Sequence, residues 1–107
     1  MKARFVEQKT DENVYYYIVT IIDGYADEAM VDVYGDPENG RTLLYKNREM
    51  AVFALETAVK YAAKSISKDL EATDITFSRG DVVSAKLRSK RGFEGYINAY
   101  IAEAVVV

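Results

Sequence analysis

The sequence predicts an α+β domain: a mainly antiparallel sheet of about five to seven strands, with one long helix over about residues 48–68 packed on one face. Three observations carry this reading. Only one stretch has sustained helical periodicity. The other apolar segments are short, rich in β-branched and aromatic residues, and separated by turn residues. A single helix with mostly hairpin-connected strands implies an antiparallel sheet. At 107 residues, with half of them apolar and 29% charged, the chain suits a single globular domain over 1–107.

The elements follow in order. "KARFVEQ" is read as a first strand, and "NVYYYIVTII" as a long second one. "IIDGYADEA" turns the chain. In "YGDPENGRT", Asp36-Pro37 opens a turn and Asn39-Gly40 supplies residues that tolerate positive φ, so the flanks "DEAMVDVY" and "RTLLYK" are expected to pair as a hairpin. The helix begins after Asn47, a residue whose side chain accepts a backbone hydrogen bond as N-cap, with Glu49 suited to the positive end of the helix dipole. Val52, Leu55, Val59, Ala62, Ile66 and Leu70 recur at three- and four-residue steps and build one apolar stripe. Glu56, Lys60, Lys64 and Lys68 occupy another side, which is read as solvated. "TDITFS", "VVSAKLR" and "GYINAYIAEAVVV" complete the sheet as strands.

A lone helix covers one sheet face and leaves the other open. Alternation assigns Ala29, Val31 and Val33, then Val83, Ala85 and Leu87, then Ile97, Ala99 and Ile101, to the covered face. Met30, Asp32 and Tyr34, with Tyr96, Asn98 and Tyr100, then fall on the other face. Tyrosine and methionine there make an amphipathic surface of the kind used for docking. Asp23, Asp27, Glu28, Asp32, Asp36 and Glu38 form an acidic run free of lysine and arginine, which reads either as attraction for a basic partner or as charge protection of a sheet edge.

"RSKRGFEGYINAY" raises the opposite possibility. Lys86, Arg88, Lys90 and Arg91 precede Tyr96 and Tyr100, and cations beside rings are how single-stranded nucleic acids are held. Arg91-Gly92-Phe93 matches the opening of the RNA-recognition-motif signature, but the rings that follow are displaced in spacing, which alternation converts into opposite faces. A solvated hairpin turn is the preferred reading. Arg79-Gly80-Asp81 is read as chance turn composition.

Absent residues narrow the chemistry. There is no histidine, cysteine or tryptophan, which excludes Ser-His-Asp and Cys-His catalysis, thiolate or imidazole metal sites, and disulfides. No cofactor or metal is implied. Net charge is −3, too mild to attract or mimic nucleic acid globally. "MKARFVEQKTDE" lacks the apolar run of a signal peptide and no stretch is long enough to span a membrane, so a cytoplasmic protein is expected. The expected function is non-enzymatic: binding of a protein partner through the tyrosine face and acidic hairpin (Met30, Asp32, Tyr34, Tyr96, Asn98, Tyr100, Asp23, Asp27, Glu28), with a viral or phage inhibitor of a nucleic-acid-processing enzyme as one such role. A homodimer through that face is compatible. The alternatives are a single-stranded nucleic-acid binder using Lys86, Arg88, Lys90 and Arg91, and a small carboxylate-dependent enzyme.

Overall fold

The computed structural model describes residues 13–105 apart from Gly80 and Phe93. Among them the chain runs β1 (Val14–Asp23), β2 (Met30–Val33), α1 (Arg48–Ile66), β3 (Leu70–Ser78), β4 (Val82–Ser89) and β5 (Glu94–Val105). The five strands form one sheet in the order β2-β1-β5-β4-β3, antiparallel throughout, and α1 packs on one side of it. This is the α+β architecture the sequence predicts. The strand expected in "KARFVEQ" lies outside the described residues.

The helix forms where periodicity and capping agree. Asn47 is extended, at φ −131°, and its side chain accepts a hydrogen bond from the Met50 amide at 2.9 Å. That bond satisfies one of the first-turn amides which lack an intrahelical partner. Asn47→Ala is expected to cost about 1 kcal/mol of stability, read as a lowered thermal midpoint. The helix ends at Ile66, because Ser67 is extended and its hydroxyl accepts from the Asp69 amide at 3.2 Å. Leu70, which prolongs the apolar stripe in the sequence, therefore opens β3, yet is buried all the same.

The buried helix face is Ala51, Leu55, Ala58, Val59, Ala62 and Ala63. Four alanines let the helix backbone lie close to the sheet, while Leu55 and Val59 fill the space between. Opposite them stand Ile18 and Ile22 of β1, Val83, Ala85 and Leu87 of β4, and Ile97, Ala99 and Ile101 of β5. The β4 and β5 residues are the ones alternation assigns to this face. Arg48, the first helical residue, donates to Asp81 at 2.6 Å and ties the helix start to the β3–β4 turn. Asp81 of the Arg79-Gly80-Asp81 tripeptide is thus held against the fold.

The predicted hairpin across "YGDPENGRT" is present but short: the Asp36 amide donates to the Arg41 carbonyl at 2.8 Å and the Leu43 amide to the Tyr34 carbonyl at 3.2 Å. After β2, Gly35 and Thr42 form an isolated bridge, and Asp36 accepts from the Gly40 amide. "RTLLYK" is not a strand. Instead Tyr45 exchanges both backbone hydrogen bonds with Tyr16 and occupies the edge of β1 beyond β2.

Edge strand β3 is broken in register between Thr73 and Thr76. Asp74 lies inside the break with φ 53°, the left-handed region that aspartate tolerates better than most residues. The kink brings its carboxylate within 3.7 Å of Lys86 Nζ and 3.8 Å of an Arg88 guanidinium nitrogen.

Candidate functional site

The ladder registers fix which side chains share the face opposite α1. Buried Ile18 and Ile22 belong to the helix-side cluster, so alternating Tyr17, Val19, Ile21 and Asp23 point the other way. Tyr17 pairs with Ala102, and pairing extends Val19, Ile21 and Asp23 across the sheet as three rows. The first is Val33–Val19–Tyr100–Val82, the second Val31–Ile21–Asn98–Ser84, and the third Asp23–Tyr96–Lys86. Val19 is only 7% exposed without belonging to the helix-side cluster. Its cross-strand neighbours on that face are Val33 and Tyr100.

The predicted site therefore divides. Tyr96, Asn98 and Tyr100 lie on the open face as expected, joined by Asp23, Lys86 and Arg88. Met30, Asp32 and Tyr34 do not. Met30 pairs with Ile22 and Asp32 with Thr20, so they share the helix side, where both line a recess against Ala62, Ser65 and Ile66. Tyr34 packs edge-to-face on Tyr61 of the helix, with ring centroids 5.8 Å apart. Correspondingly Val31 and Val33, expected against the helix, are on the open face, and Val31 is 66% exposed. The phase of β2 is inverted relative to expectation because every residue of this short edge strand is exposed. No burial contrast fixes its phase, and the ladder with β1 does.

The open face has an apolar and a charged region. Val31, Val33, Ile21, Val19, Tyr100 and Val82 cross from the β2 edge to β4. Ser84 donates from its hydroxyl to Asn98 Oδ1 at 2.7 Å, a polar crosslink in the middle of the face. Tyr96 is 62% exposed beside Lys86. Lys86 and Arg88 share the single carboxylate of Asp74. The residues that sequence reasoning left out of this face are Tyr17, Val19, Ile21, Val31 and Val33. The apolar tract "VYYYIVTII", rich on both strand faces, was the signal for the β1 members.

Lys90 and Arg91 sit in the β4–β5 turn, where the Arg91 amide donates to Ser89 Oγ at 3.1 Å and its guanidinium lies 3.9 Å from Asp69. Asp27 and Glu28 are exposed in the β1–β2 turn. The turn itself depends on Gly24, at φ 90°, where a Cβ would come within 3.3 Å of the Gly95 Cα. Lys64, Lys68, Arg88 and Lys90 line one shallow recess, but Asp69 and Glu71 line it too. Among the described residues no group of three or more acidic side chains is placed to hold a metal ion, and no helix is long and apolar enough to cross a membrane.

One phenol is perturbed. Burial pushes the Tyr45 pKa above its ordinary value of 10.0, and neighbouring Tyr34 adds to the rise. As pH climbs past about 10, the unfolded chain releases this proton before the folded chain does, so the folded state loses stability from there upward. Below that pH the contribution is constant. Between about pH 9 and about pH 11, Tyr45→Phe is expected to lose less of its urea midpoint than the parent protein. Comparison of the chain with protein-family models, curated proteins and solved structures returned no match.

Proposed function

We propose that the protein is a non-enzymatic docking module that binds a protein partner through the open face of its sheet. The observation that carries this reading is the group of large side chains exposed on this face, Val31, Val33, Tyr96 and Tyr100, set around the buried Val19. Contiguous exposed apolar surface rimmed by polar groups is uncommon on a protein that works alone. Tyrosine supplies a broad, rigid contact with a polar tip, and such residues dominate binding energy at interfaces. The acidic turn with Asp27 and Glu28 adjoins the end of the face at Asp23 and extends the surface toward a basic partner.

Single-stranded nucleic acid is the second reading, favoured by Lys86 and Arg88 beside Tyr96. It is the weaker one. Asp74 already sits against both cations, and Asp23 shares their end of the face. Carboxylates there oppose phosphate.

A photo-reactive phenylalanine derivative at position 96, compared with one at the exposed helix position 60, tests the proposal. In nuclease-treated cell extract, position 96 should crosslink to protein and position 60 should not. Equal labelling at both positions overturns the docking face. Crosslinks that vanish on nuclease treatment replace it with the nucleic-acid reading.

A further inference from the structure

We infer that the partner on the open face is a second copy of this chain, seated face to face about a two-fold axis along β5. This inference rests on the docking reading above and names its occupant. The pattern around the central strand supports it. β1 and β4 flank β5, and the rows set Val19 against Val82, Ile21 against Ser84, and Asp23 against Lys86 across it.

A two-fold axis parallel to β5 exchanges the β1 side of one copy with the β4 side of the other and keeps each row at its own height. The row whose exposed members are Val33 and Tyr100 then lies over its own counterpart. Asp23 faces the second copy's Lys86, and the pair recurs on the other side of the axis. Tyr96 and Tyr100, on the axis, each meet their own counterpart, an arrangement that favours offset or edge-to-face ring contact. Packed sheets stand about 10 Å apart, a distance that a lysine and an aspartate reaching toward each other can span. The in-plane axis at right angles, through the Asn98 row, would instead set Asp23 over Val19 and Lys86 over Val82. That leaves two charges desolvated on valines.

Charge and area agree with this placement. Lys86 and Arg88 share Asp74, and Glu71 and Glu94 stand across from Arg88, so Lys86 is the cation left to face Asp23, which has no ion-pair partner among the described residues. Five strands about 4.8 Å apart and about eight residues long present roughly 600 Å2 in projection. The relief of side chains raises the accessible area toward the roughly 800 Å2 that each side of a standard interface buries.

Sedimentation of the whole chain over a wide concentration range, with charge-reversed variants, tests the inference. The parent protein should dimerise. Lys86→Asp and Asp23→Lys each create two like-charge contacts per dimer and should weaken association about tenfold. The double variant swaps the charges and should return the midpoint to within about threefold of the parent. Circular dichroism melts check that each variant folds. If Lys86→Asp fails to fold beside Asp74, Lys86→Gln with Asp23→Asn replaces the reversal: each alone should weaken the dimer, and the pair together no further.

A chain that stays monomeric throughout overturns the inference. So does a dimer that the single variants leave unchanged, or one that the double reversal fails to restore. A monomeric chain whose position 96 still crosslinks to another protein overturns only the second copy. Absence of any protein crosslink at that position sinks the docking reading as well.

Discussion

Leu55→Ala is expected to cost about 3 kcal/mol of folding stability, the largest single effect of any substitution considered. Leu55 is fully buried at the centre of α1, in one cluster with Val83, Leu87 and Ile97 of the sheet. The alanines around it hold the helix close to the strands, so the helix cannot sink further to refill the gap. A cavity is left, and its cost adds to the lost transfer energy. For a domain of this size the loss is a large share of a total of roughly 5–15 kcal/mol. Urea unfolding followed by circular dichroism reads it as a lower midpoint with an unchanged slope. Phe53, on the same helix and 86% exposed, is the control. Phe53→Ala should stay within about 0.5 kcal/mol of the parent, since nothing buried is lost. A comparable loss at both positions would contradict the burial pattern.

The second large effect separates two tyrosines that look alike in sequence. Tyr96→Ala is expected to cost about 2 kcal/mol or more of partner binding, measured by titration or by the dimer midpoint, while leaving the melting temperature nearly unchanged. Tyr34→Ala is expected to do the reverse. It removes the ring packed on Tyr61 and on the helix-side core, so about 2 kcal/mol is lost from folding and docking is spared. Loss of binding by Tyr34→Ala without loss of stability would show that β2 presents its other face.

That pair of residues also shows where the sequence was legible. Strands β4 and β5 lie under the helix, and there alternation separates buried from exposed residues without ambiguity: Val83, Ala85 and Leu87, then Ile97, Ala99 and Ile101. The helix was legible for the same reason, with Asn47 marking its start. β2 is different. Its alternating sets, Met30 with Asp32 and Val31 with Val33, both contain apolar residues, and the strand is four residues long at the sheet edge. Period 2 reveals two faces but not which is inner. Only pairing with β1 decides that, and pairing is a tertiary property. The hairpin expected around Asn39-Gly40 forms, but only as a short one. Arg41, Thr42 and Leu43 pair back onto Asp36, Gly35 and Tyr34 around the turn, and by Tyr45 the returning chain has moved to the edge of β1 at Tyr16. Two of the three residues placed on the open face from β5 alone, Tyr96 and Tyr100, remain its most prominent rings. Its apolar band was hidden because β1 is apolar on both sides.

The kink at Asp74 bears on how large any assembly grows. A sheet can recruit new strands at its rims as well as partners on its face, and rim recruitment has no natural end. Here one rim is a strand too short to template another chain, and the other is broken at Asp74, which turns backbone groups away from a regular ladder. Straightening β3 by deleting that kink would open a route to fibres. With it in place, the face-to-face dimer inferred above would not be extended from this rim.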